Sequence, residues 1–290
     1  MQRKSPAAVI VAAVAVVLAV ACADRSESVA PPGAATAPSS ILTGKFVWHD
    51  LVTEDPAACR RFYAALLGWE FEDAHRGDRP YVIARSGGRY VAGIVAVPPD
   101  TSQELSQWLA YMSVPDVDAA AAQVTAAGGR SLVAPREVGS IGRAAVVVDP
   151  QGAPIGLLRR AAGDPADEPS PVVGRFFWME YLARDPGTAL AFYKGLAGYE
   201  SQARETPSGT PYEVLTRGRP RAGLMKIPIE NVRPNWLSYV RVEDPAALAG
   251  RVVSLGGKVV LAPRPEIRNG TLAVVADPSG AVLALQKWPL

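Results

Sequence analysis

The sequence predicts an α+β protein built from four strand-helix-strand-strand-strand (βαβββ) modules arranged in two pairs. Three observations carry this. The stretch Gly44 to Phe71, GKFVWHDLVTEDPAACRRFYAALLGWEF, returns without a gap at Gly174 to Ser201, GRFFWMEYLARDPGTALAFYKGLAGYES, 130 residues later. A second stretch, Trp108 to Ala153, returns at Trp236 to Ala281, 128 residues later. Each of the four copies reads the same way locally: an apolar, aromatic run, a helix start, a glycine stop, then more strands. An internal repeat fixes the architecture before any single element is read.

The elements follow in order. Phe46 to Val52 suits a strand. Asp55-Pro56 starts a helix, with Asp as N-cap and Pro at the first helical position. Cys59, Phe62, Tyr63, Leu66 and Leu67 recur at helical spacing and give it one apolar face. Gly68 ends it. Tyr81 to Val97 reads as a hairpin turning at Gly87-Gly88, and Tyr212 to Ile227 is its counterpart. In the second type of module the helices span Val117 to Ala127 and Pro245 to Leu255, each stopped by Gly-Gly. An Asp-Pro-x-Gly turn, at Asp149 and at Asp277, joins the last two strands.

The first 22 residues have a different character. Met1-Gln2-Arg3-Lys4 is basic, Ala7 to Ala21 is continuously apolar, and Cys22 follows. This resembles a bacterial lipoprotein signal peptide, whose Cys is acylated and becomes the new N-terminus. Residues 23–43, rich in Ala, Pro and Ser, read as a flexible tether. The expected organisation is therefore signal and lipidated Cys22 (1–22), tether (23–43), first domain (44–161), linker (162–173) and second domain (174–290). It implies an exported protein, anchored by lipid in the cell envelope. Each half is expected to fold alone, burying its sheet against its own helices.

Charge and cysteines narrow the function. The 290 residues carry a net charge of +2, and Arg3 and Lys4 supply that surplus. A neutral mature chain has no electrostatic footprint for nucleic acid. With Cys22 acylated, Cys59 is the one free thiol left after processing, so there is no disulfide framework. It reads as a buried apolar residue of a helix face.

The duplicated first strand, the Asp-Pro helix start, the F-Y-x-x-L-x-G-[WY] helix end and the Asp-Pro-x-Gly turn together resemble the vicinal-oxygen-chelate superfamily. Glyoxalase I, extradiol dioxygenases and bleomycin-resistance proteins belong to it. The resemblance covers residues 44–288 and implies two domains, each a cupped mixed sheet of eight strands around a ligand cavity. Metal-dependent members place a His on the first strand and a Glu on the closing strand of each module. Here those positions fall on Trp48, Leu109, Trp178, Leu237, Gly156 and Ala284, none of which ligates a metal. No metal and no cofactor are expected. His49 lies one residue from the ligand position, which on a strand points to the opposite face. It reads as a helix-packed or partly solvated histidine, and His75 as a solvated one.

If Trp48 faces the cup, Asp50 does too, and the second half repeats the pair as Trp178 and Glu180. Tyr111 and Tyr239, on the first strands of the second modules, join them as candidate ligand contacts. Arg241 is expected to face inward and pair with Glu180. An aromatic beside an acid suits a flat, apolar or cationic ligand, with the N-terminal cup preferring the cation. Three activities follow: binding of a small organic ligand without metal; a metal-independent lyase or isomerase with Asp50 or Glu180 as base; or a metal-dependent glyoxalase or dioxygenase, which the missing ligands disfavour. The sequence leaves the oligomeric state open.

Overall fold

The computed structural model describes residues 40–289, apart from 77, 78, 99–105, 207, 208 and 231. Cys22 and most of the tether lie outside them. No helix among the described residues is long and apolar enough to cross a membrane.

The first half runs β1 (Phe46–Thr53), α1 (Pro56–Leu67), β2 (Glu70–Arg76), β3 (Arg79–Ser86), β4 (Arg89–Ala96), β5 (Gln107–Ser113), α2 (Val117–Ala126), β6 (Arg130–Val138), β7 (Gly142–Val148) and β8 (Pro154–Arg160). The second half repeats it: β9 (Phe176–Ala183), α3 (Pro186–Ala197), β10 (Glu200–Glu205), β11 (Pro211–Thr216), β12 (Pro220–Lys226), β13 (Asn235–Arg241), α4 (Pro245–Val252), β14 (Lys258–Leu261), β15 (Leu272–Ala276) and β16 (Val282–Gln286). Each half forms one eight-stranded mixed sheet, in the orders β2-β3-β4-β1-β5-β8-β7-β6 and β10-β11-β12-β9-β13-β16-β15-β14. Among the described residues no strand is shared between them. The helix starts are capped as the sequence predicts. Asp55 accepts from the Ala58 amide, and Asp185 accepts from Gly187 and Thr188. Gly68 and Gly198 close α1 and α3 in the left-handed conformation.

The first strand of each half carries a bulge. Phe46 pairs with Met112 and Trp48 with Tyr111, leaving Val47 as the extra residue; Phe177 is the extra residue between Phe176 and Trp178. The bulge breaks strict alternation. Val47 and Trp48 both join the core on the open face of the sheet, whereas Phe46 packs on the helix-bearing face.

The helix-bearing faces of the two sheets are buried against each other, crosswise. One core cluster joins α2, β7 and β8 of the first half to β9 and α3 of the second; the other joins α1 and β4 of the first half to α4, β15 and β16 of the second. Repeated residues meet across this seam. His49 reaches the Met179 sulfur at 3.4 Å, and these two occupy equivalent positions in the repeat. Trp69 donates to the Gly174 carbonyl at 2.7 Å, and Tyr199 donates to that of Gly44. Gly44 and Gly174 both have positive φ, and a Cβ on Gly44 would run into the Tyr199 ring.

The turn aspartates also serve the seam. Asp149 Oδ1 accepts the amides of its own turn, Gln151 and Ala153, while Oδ2 accepts the hydroxyls of Tyr181 and Tyr193 from the other half. Asp277 does the same with Ser279 and Ala281 and with Tyr63. Burial and the neighbouring carboxylate push the Tyr63 and Tyr193 pKa values well above that of a free phenol.

The last tether residues are not loose. Ser40 accepts from the Asp164 amide, and the Leu42 amide donates to Asp164 Oδ2 at 2.6 Å, so this end of the tether docks on the linker. A knot of charges holds the linker: Asp167 bridges Lys45 at 3.0 Å and Arg221 at 2.6 Å.

Candidate functional site

The open face of each sheet, away from the helices, carries the candidate residues. Trp48 and Asp50 lie opposite Tyr111 and Leu109, and Trp178 and Glu180 lie opposite Tyr239 and Leu237. Directly opposed residues of an antiparallel pair share a face. In each half the expected residues therefore share the open face of the sheet. The first cup has apolar walls including Leu109, Leu132, Val146 and Leu158; the second includes Leu237, Leu272, Val274 and Leu261.

Both acids are buried. In the first cup, Asp50 Oδ1 accepts from the Trp48 indole at 2.8 Å and from the Tyr81 hydroxyl at 2.6 Å. In the second, Glu180 Oε1 accepts from Tyr239 at 2.9 Å, and Oε2 accepts from Tyr212 at 3.1 Å and from Arg268 Nη2 at 2.8 Å. The Trp178 indole donates to the Tyr212 oxygen at 3.2 Å. Each acid thus organises an indole and phenols that would otherwise be buried polar groups without partners. Burial, then the nearby Glu180 charge, lifts the Tyr212 and Tyr239 pKa values, which keeps both phenols protonated donors.

Tyr81, Tyr212 and Arg268 were not among the expected site residues. The tyrosines left a signal: each lies near the start of the first strand of its hairpin, diagonally across from a glycine on the next strand. A Cβ at Gly93 would run into the Tyr81 phenol, and one at Gly223 into that of Tyr212. Arg268 left none, because the repeat places Ser140 at the equivalent position of the first half and so gives it no counterpart. It sits in a turn where Arg268 and Asn269 have φ of 46° and 52°, the two non-glycine residues with positive φ among those described. Such a backbone costs about 1–3 kcal/mol per residue and persists where surrounding structure enforces it. Here the Thr271 hydroxyl donates to the Arg268 carbonyl and is itself held by Gln286 at 2.8 Å. Arg136, opposite Ala144, occupies a position on the open face of the first sheet.

Two expectations change, and a third holds. Arg241 does not pair with Glu180. It stands at the end of β13, where Nη1 donates to the Pro171 carbonyl of the linker and Nη2 lies 3.4 Å from Glu243. His49 does point away from the cup, but it is neither helix-packed nor solvated. Its ring stacks on Phe176 of the other half, with centroids 3.7 Å apart, and burial holds its pKa down at about 3. Cys59 is buried as expected, and burial, then Asp277, pushes its thiol up to about 12, which makes it a poor nucleophile.

The residues do not fit the metal that the resemblance implies. The four central strands of the first cup bring together Gly93, Asp50, Leu109, Tyr111 and Gly156. One carboxylate among them is too few donors to hold a divalent ion. The space above both glycines is taken by phenols, since a Cβ at Gly156 would run into Tyr111. The second cup repeats this with Gly223, Glu180, Leu237, Tyr239 and Ala284. Among the described residues, no three His, Cys, Asp or Glu side chains are grouped so as to hold a metal.

Comparison with known proteins agrees with the fold. A family model described as a glyoxalase-like domain matches residues 47–158 and again 178–285. The Mycobacterium tuberculosis protein named "Putative glyoxylase CFP32" is 33% identical over 247 residues, covering 83% of this chain and 93% of its own. The anthracycline biosynthesis protein DauV of Streptomyces sp. is 31% identical over 252 residues, covering 82% and 91%. Among solved structures, a Mn(II)-bound glyoxalase from Novosphingobium aromaticivorans superposes with a TM-score of 0.56 at 15% identity, covering 84% of this chain and 82% of that one. An extradiol ring-cleaving dioxygenase from B. fuscum gives 0.58 at 15% identity, covering 87% and 75%. At such identities the solved structures share the fold alone.

Proposed function

Because the chain belongs to the glyoxalase-like domain family, with two copies of that domain, we propose that each cup binds a small, flat organic molecule against Trp48 or Trp178 without a metal ion. The observation that carries this is the exchange at the closing strands. Where a metal site needs carboxylates, this chain has Gly93, Gly156, Gly223 and Ala284, and Tyr81, Tyr111, Tyr212 and Tyr239 lie on the same faces. Half-buried tryptophans beside apolar walls then offer stacking surface, and the Tyr81, Tyr212 and Tyr239 hydroxyls are committed to the acids. Fluorescence titration with 1-naphthamide tests it: quenching should fall in Trp48→Phe and again in Trp178→Phe. Saturable quenching untouched by either substitution would place the ligand elsewhere.

A second reading, a metal-independent lyase or isomerase with Asp50 or Glu180 as base, is favoured by one contact. The Tyr81 hydroxyl sits 2.6 Å from the Asp50 carboxylate, a pair able to pass a proton. Deuterium exchange into a bound carbon acid, lost in Asp50→Asn, would select this reading over simple binding. The tether and Cys22 add a location: the protein is lipidated at Cys22 and held on the outer side of a bacterial membrane. Membrane fractionation of Cys22→Ser, which should release the protein, checks it.

A further inference from the structure

We propose that the C-terminal cup is an anion site, in which Arg268 takes the carboxylate of an aromatic acid whose ring lies along Trp178. This rests on the reading that the cups take small organic molecules, and adds the ligand's charge and the residue that reads it.

Four features point to it. First, Glu180 already accepts hydrogen bonds from Tyr212 and Tyr239, so the buried acid has donors on both oxygens without Arg268. Second, Arg268 commits Nη2 to Glu180 Oε2, at 2.8 Å. A guanidinium carries five N–H donors in a planar fork. The bonds to Glu180 and to Tyr212 take up two of them, and the side chain keeps 24% of its surface open. Third, the guanidinium lies 5.7 Å from the Tyr212 ring and 5.8 Å from the Tyr239 ring, so the phenols wall it in and fix its plane. Fourth, the backbone at Arg268 and Asn269 is held in the left-handed region to deliver this one side chain into the cup. A salt bridge to Glu180 alone does not require that placement, because a long side chain reaches an acid from many backbone positions.

The ligand's shape follows from the walls. Phe177, Trp178, Leu182, Leu261 and Ile267 are partly exposed and apolar, and pack on the cluster around Tyr239, over whose ring Arg268 lies. A carboxylate accepts two parallel bonds from one guanidinium edge. The matching molecule is therefore a flat aromatic ring bearing a carboxylate. Glu180 competes for the same cation, which gives the proposal a signed consequence: removing its charge should strengthen anion binding.

The test compares 1-naphthoate with neutral 1-naphthamide, by isothermal titration of the full chain. The wild type should bind the acid more tightly than the amide. Arg268→Gln should weaken naphthoate by about tenfold or more, the loss expected for a charge-assisted contact, and leave naphthamide within about twofold. Glu180→Gln should strengthen naphthoate. If Arg268→Gln fails to fold, with Glu180 left unpaired, the double variant Glu180→Gln/Arg268→Gln removes both charges and should likewise lose the preference for the acid. Equal affinities for acid and amide, or a preference that survives both Arg268 variants, would overturn the anion site while leaving the cup reading standing. No binding of naphthamide to any form would instead overturn the cup reading itself.

Discussion

At the scale of the residue, burial decides what each titratable group does. His49 is enclosed between the two halves, and desolvation lowers its pKa from the ordinary value near 6.5 to about 3, against a smaller opposing pull from Asp50. The unfolded chain takes up the proton as pH falls through 6.5, and the folded chain does so only near 3. Between those values the unfolded state binds more protons, so stability is lost as pH falls. From pH 7 to pH 5, above the range in which unperturbed carboxylates titrate, this one group should remove roughly 2 kcal/mol. Denaturant unfolding at the two pH values, for wild type and His49→Gln, checks it: the variant should lose that much less. Parallel losses in both would show that His49 does not sense the seam. Trp48, Asp50, Trp178 and Glu180 were legible as a shared face because strand alternation holds past the bulge. Arg268 was not legible, because what aims it is an irregular turn and no periodicity describes one.

At the scale of the element, the strands, helices and caps follow from local chemistry, and the repeat made that chemistry readable twice. The sheets formed in the expected modules, and α1 and α3 end at their glycines. What local chemistry hid was the second duty of repeated residues. Gly44, Gly174, Asp149 and Asp277 read as strand-start and turn residues, yet each also bonds the opposite half. Sequence distance carries no trace of such contacts. The Tyr193 hydroxyl joins the Asp149 turn to α3 and accepts from the Trp236 indole at 2.8 Å. Tyr193→Phe leaves a buried indole N–H without its acceptor and a carboxylate one donor short. It should cost about 1–3 kcal/mol, seen as a lowered midpoint in chemical unfolding. Tyr63→Phe, at the equivalent place, should cost about the same. A change below about 0.5 kcal/mol in both would mean that these bonds contribute little to stability.

At the scale of the whole molecule, the shared core changes the picture of two self-sufficient domains. Two sheets are present, but the helix-bearing face of each is covered jointly by its own helices and by the other half, so residues 44–161 alone would expose part of an apolar face. The isolated half should therefore be unfolded, or pair with a second copy that stands in for its missing partner. Sedimentation of the 44–161 fragment, alone and mixed with 174–290, checks this, and a folded monomeric fragment would contradict it. The same architecture leaves the two open faces as separate cups, each with one acid, one tryptophan and phenols over the positions where a metal site needs carboxylates. Native mass spectrometry of the purified protein tests that central claim most directly. The account predicts a mass that contains no stoichiometric divalent metal, is unchanged by chelator, and rises by that of a small organic molecule when a cup is filled. One tightly bound ion per half, removed by chelator with a fall in melting temperature, would contradict it.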